Sequence, residues 1–146
     1  MTMASKLYGQ FLQQALNKEV DWDTDTIKVA LLSNSYTPDQ DAHNYFDDVS
    51  SYEVTGTGYT TGGATLANKT NTYNSATNVI VLDADDVTWS SSTITARYAV
   101  VYDASPATAA TKPLIGYVDF GSDQSSSNGN FTITWDATGI VRITVA

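Results

Sequence analysis

The chain contains no cysteine. That excludes disulfides and thiolate metal sites, and it suits a protein assembled in a reducing cytoplasm. Cations are scarce: seven Lys and Arg stand against 16 Asp and Glu, for a formal net charge of −9. Phosphates require Lys and Arg, so neither nucleic acid nor an anionic membrane surface is expected as a partner. Long apolar runs are also missing. No stretch approaches the ~20 residues that span a bilayer. The opening MTMASKLYGQFLQQALNKEV has no uninterrupted apolar segment of the signal-peptide kind, so a soluble product of the cytoplasm is expected. Histidine occurs once, as His43, and no Gly-x-Ser-x-Gly elbow marks a nucleophile, so catalysis is not expected.

What the chain does have is strand patterning. The most informative stretch, residues 93–120, reads TITARYAVVYDASPATAATKPLIGYVDF. Ile94, Ala96, Tyr98, Val100 and Tyr102 fall on one face, with Ala99 and Val101 on the other. Strict alternation is the mark of a β-strand. A second run from Leu114 to Phe120 alternates in the same way. Both runs carry apolar groups on both faces, which predicts strands inside a packed sheet. Further strands are expected at residues 26–33, 66–73, 79–83, 87–89, 130–135 and 140–145, the last two as a closing hairpin. The polar segment GSDQSSSNG, residues 121–129, reads as an exposed loop.

One helix is predicted, over about residues 5–18, with Ser5 as N-cap and Lys18 in the last turn. Leu7, Phe11, Leu12, Ala15 and Leu16 form its apolar stripe. A second, short helix is expected near residues 41–47. The 146 residues fit one domain, with a β body over about 26–146, able to bury roughly 68–70% of its unfolded surface without a staple. The expected fold is mainly β: an antiparallel β-sandwich, jelly-roll-like or immunoglobulin-like, with one short N-terminal amphipathic helix.

Several residue groups invite a chemical reading. Asp21, Asp23 and Asp25 open like a calcium loop, but an EF-hand needs Gly sixth and Glu twelfth, where this chain has Thr26 and Leu32. The plainer account is a turn whose Asp side chains accept local backbone N–H groups. Asp83, Asp85 and Asp86 read as a second acidic turn. GTGYTTGG, residues 56–63, lacks the Gly-Lys-Ser/Thr of a phosphate loop and leads into a strand, so a mobile loop is expected. Trp22, Trp89 and Trp135 sit near strand ends, where aromatics serve packing or, if exposed, stacking on sugars. No residue is assigned a catalytic, cofactor-binding or metal-binding role, and no cofactor is expected.

The segments DTDTIKVALLSNSYTPDQDAHNYFDDV, EVTGTGYTTGGATLANKT, ITARYAVVYDASPATAATKPLIGYVDFG and FTITWDATGIVRITVA together resemble a family of small virion structural proteins of tailed bacteriophages, of the capsid decoration, or cement, type. The resemblance covers most of the chain from about Leu7 onward and rests on whole segments. It implies a non-catalytic protein on the outside of the mature capsid lattice, with the major capsid protein as partner and a homotrimer as its form. A protein that binds only the mature lattice stabilises it by mass action, and a trimer adds avidity. A minor tail or neck subunit is the first alternative, and a glycan-binding adhesion module the second. Contacts are expected from the N-terminal helix, through Leu7 and Phe11, and from the loop holding Tyr52 and Tyr59.

Overall fold

The computed structural model describes residues 4–146. Two antiparallel sheets pack face to face, with one short helix near the N-terminus. Eight strands run in chain order: β1 (Ala4–Leu7), β2 (Ile27–Leu32), β3 (Ala64–Thr65), β4 (Thr70–Asn74), β5 (Val79–Asp83), β6 (Val87–Asp103), β7 (Leu114–Ile133) and β8 (Val141–Thr144). The larger sheet has the order β1-β7-β6-β2-β3 and the smaller β4-β5-β8. This is the expected sandwich. Its centre is the long hairpin of β6 and β7, whose apolar alternation the sequence displays.

Both faces of the larger sheet are buried. One face meets the smaller sheet over a core that includes Ile27, Val29, Leu31, Ile115, Leu82 and Val141. The opposite face lies under the irregular chain between β2 and β3. There Ala30, Leu32, Val100 and Leu114 meet Tyr36, Phe46 and Val49 of that cover, together with Tyr8 from just after β1. The central strands therefore have no solvated side, which explains their nearly continuous apolar character.

The ladder of β6 on β7 is broken at one decisive place. Ala96 pairs with Gln124, but Tyr98 pairs with Asp119, so a β-bulge intervenes. Side chains alternate with a period of two, and this irregularity, with Arg97 alone opposite residues 120–123, inverts the faces beyond it. Ile94 and Ala96 therefore share the inter-sheet core with Ala99 and Val101, whereas Tyr98, Val100 and Tyr102 point to the other face. The single face expected for Ile94, Ala96, Tyr98, Val100 and Tyr102 is thus split in two.

Four further expectations are corrected. The helix does not begin at Ser5. Residues Ala4–Leu7 form β1, antiparallel to β7, and the helix α1 spans only Phe11–Leu16, with Gln10 at its N-cap. Leu7 is placed on the core side equally well by strand alternation and by helical spacing, so its position alone does not separate the two. Lys18 is the residue just past the helix, in the left-handed region at φ 63°. Its N–H bonds Ala15 O, and Glu19 N–H bonds Gln14 O, the pairing of a Schellman stop.

The second correction concerns residues 121–129, expected as a loop. They are the continuation of β7, paired with the early half of β6. Hydroxyls join the two strands: Thr88 to Thr132 at 2.9 Å, Ser92 to Ser126 at 2.7 Å and Thr95 to Ser125 at 2.8 Å. Third, the last strand does not pair with residues 130–133. Those residues pair with Val87–Trp89 of β6, and β8 joins β5 instead. The helix expected near 41–47 is replaced by two 3-10 turns, Phe46–Asp48 and Ser50–Tyr52.

Candidate interaction surfaces

The N-terminal segment presents different residues from those expected. Phe11 is 2% exposed and lies in the inter-sheet core, and Leu7 packs against that core. The outward face of α1 carries Leu12 and Leu16, one helical turn apart, 43% and 85% exposed. The apolar stripe read from the sequence contains all four residues. Shortening the helix to six residues divides them into a buried and an exposed set.

Tyr52 and Tyr59, the other expected contacts, are both half-buried and fastened to the body. Tyr52 lies against Tyr36, with ring centroids 5.5 Å apart. The Tyr59 hydroxyl donates to Glu53 Oε1 at 2.5 Å and accepts Leu31 N–H at 3.1 Å. Burial, and then the Glu53 carboxylate, hold the Tyr59 phenol well above its usual range. The same Glu53 oxygen takes Gly62 N–H at 2.6 Å, and the Tyr102 hydroxyl donates to Gly62 O at 2.7 Å. The glycine-rich stretch is therefore latched to the sheet and is not the free loop expected. Gly63 shows why glycine is required there. It sits at φ 79°, and an added Cβ would lie 1.9 Å from Val29 O.

His43 belongs to a chain of hydroxyls under the irregular cover. The Tyr8 and Tyr36 hydroxyls are 2.8 Å apart, and Tyr36 lies 3.0 Å from His43 Nδ1. Asp39 N–H also approaches that nitrogen, at 3.3 Å. Nδ1 is then the acceptor, which directs the proton of Tyr36 to His43 and that of Tyr8 to Tyr36. Burial pushes Tyr36 up to about 12 and Tyr8 higher.

The acidic turns are hydrogen-bond anchors. Asp21 Oδ1 accepts N–H groups from Asp23 and Thr24 at 3.0 and 3.1 Å, and the Thr24 bond chiefly lowers its pKa. Asp86 accepts Trp135 N–H at 2.9 Å, and Asp85 accepts the Asn68 amide at 2.6 Å. Among the described residues no three His, Asp or Glu converge on a point where a metal would sit. Trp22 and Trp89 are core residues, and the Trp135 indole donates to Asp85 O at 3.0 Å. Compared with protein-family models, curated proteins and solved structures, the chain matches none.

Asp103, at the end of β6, is a group the sequence does not single out. It is 0% exposed; Oδ1 accepts Ser105 N–H at 2.9 Å, and Oδ2 has no donor. Its neighbour is the Asp25 carboxyl. Burial first, and then Asp25, raise Asp103 to about 7. One carboxyl of the pair thus keeps a proton to near neutrality, and that proton serves the otherwise orphaned oxygen. An Asp at a strand end ordinarily signals a turn, so no sequence cue marks this one as buried.

Proposed function

We propose that this chain is a non-catalytic structural protein of a tailed-phage virion, bound to the outside of the mature capsid lattice as a decoration protein. The observation that carries the reading is the exposed Leu12 and Leu16 pair on an otherwise strongly acidic, two-layer β body. An apolar pair at this exposure suits burial against a partner, here the major capsid protein. The net negative charge supports steering toward basic patches on a shell. The segments that carry the family resemblance supply β2, the irregular cover, the centre of the long hairpin and β8, so they belong to the rigid body as a whole. A glycan-binding module is less well supported, because two of the three Trp are spent on the core.

The deciding experiment is the copy number of the chain in purified particles, by quantitative mass spectrometry against the major capsid protein. A ratio near one to one supports decoration. A handful of copies per particle overturns it in favour of a neck or tail subunit. Replacing Leu16 with Ser should weaken attachment at least tenfold and leave the melting temperature within about 1 °C, since surface changes of this kind stay within ±0.5 kcal/mol.

A further inference from the structure

The outer edge of β7 is covered by β1 only along Gly116–Asp119. From Phe120 onward no strand among the described residues pairs with that side. Beside this edge lies a groove of about 310 Å³. Phe120, Phe131 and Ile133 line it on the core side, and Gln124, Asn130 and Thr134 line its rim. The Phe120 and Phe131 rings are 6.2 Å apart. Residues 124–134 contain no charged side chain, although the chain as a whole carries −9. Soluble proteins usually guard a strand edge with charge or proline. Beyond Asp123 this edge has neither.

We propose that this groove accepts a strand from a second copy of the chain, and that the strand is β4. Each of the other sheet edges is disqualified by what it carries. β1 contains Lys6, β8 contains Arg142, and β3 has two residues. β4, TNTYN, is uncharged, exposed at every residue and unpaired on its outer side. It also holds Tyr73, 56% exposed, an aromatic able to enter a groove walled by Phe120 and Phe131. Two copies of so acidic a chain repel over most of their surfaces, and this pairing brings together two stretches with no carboxylate in either. Strand addition supplies backbone hydrogen bonds and the Tyr73 pocket supplies register. Because donor and acceptor are different surfaces, the contact is heterologous, giving a ring where its rotation closes and an open chain where it does not.

The absence of cysteine makes the test clean. Thr72→Cys protein is mixed with Ser125→Cys protein and treated with a short bismaleimide, alongside each variant alone. Cross-linking should be several-fold stronger in the mixture than in either single sample. Sedimentation equilibrium should show association of the unmodified chain, weakened at least tenfold by Tyr73→Lys with the circular dichroism spectrum unchanged. A monomer at every concentration overturns the proposal. So does cross-linking no stronger in the mixture, or association that Tyr73→Lys leaves intact. Particle copy number is not involved, so this inference and the virion assignment fail separately.

Discussion

The two faces of the larger sheet are covered by different means. Toward β4, β5 and β8 the cover is a second sheet, whose backbone groups are satisfied by its own ladders, and the core between is aliphatic with Phe and Trp. On the other face the cover is mostly irregular chain, and its core is rich in tyrosine: Tyr8, Tyr36 and Tyr102, with Tyr52 and Tyr98 at the margin. An irregular cover has few ladders of its own, so side chains must take its polar groups. Asp39 Oδ1 accepts N–H from Asp41 and Ala42, and Asp48 Oδ2 accepts N–H from Asn44 and Tyr45. Tyrosine suits such a layer, because it brings apolar area and a hydroxyl that can reach a partner.

The sharpest way to break this comparison uses adjacent residues of β7. Leu114 and Ile115 are both fully buried and face opposite covers. Truncation of either to Ala should cost roughly 2–5 kcal/mol. Ile115→Ala should be the worse, because two hydrogen-bonded sheets relax less into a cavity than an irregular cover does. Urea denaturation of both variants decides it; equal losses, or the reverse order, would show the irregular cover to be as stiff as the sheet.

The next effect lies at the end of β6, with Asp103. An ordinary Asp releases its proton near 4, and the folded chain holds this one to about 7. The folded state therefore binds that proton more tightly than the unfolded state. The associated stability is fully present below about pH 4 and is lost as pH rises through about 7. Asp103→Asn keeps an acceptor for Ser105 N–H and places a donor beside Asp25. It should flatten the pH profile and stabilise the chain at pH 8 by up to a few kcal/mol. A stability curve unchanged by the substitution would show that the carboxyl pair holds no proton.

Tyr36→Phe removes the middle hydroxyl of the Tyr8–Tyr36–His43 chain and should cost about 1–3 kcal/mol through the partners left unsatisfied. Hydrogen exchange should quicken in residues 37–48 and stay unchanged in β5 and β8. Uniform acceleration across both sheets would mean that the two covers unfold as one. The smallest effect is at Lys18, where glycine relieves a left-handed backbone worth roughly 1 kcal/mol. Lys18→Gly should raise the melting temperature by a few degrees.

Much of this architecture is legible in the chain because burial on both faces leaves a simple record. Residues 27–32 and 79–83 and the centre of the long hairpin read as strands from their apolar runs alone. Residues 121–129 do not, since Ser, Gly and Asn carry no strand preference. They are strand because residues 92–96 on β6 offer matching hydroxyls and backbone groups. The partner of β8 is equally hidden, for a short turn before a strand predicts a hairpin and says nothing of a distant edge. As for contacts, the stripe on the helix is visible, but its division into buried Phe11 and exposed Leu16 depends on where the helix starts. That start is fixed by pairing of β1 with a strand more than a hundred residues later.

The bulge beside Arg97 acts as a phase inverter. A strand is a two-state pattern, inside and outside, and the irregular pairing there resets it halfway along β6. Were β6 regular through Arg97, Tyr98, Val100 and Tyr102 would fall in with Ile94 and Ala96, and the tyrosines bound for one cover would be dealt to the other. Backbone geometry at that point carries more information than side-chain identity.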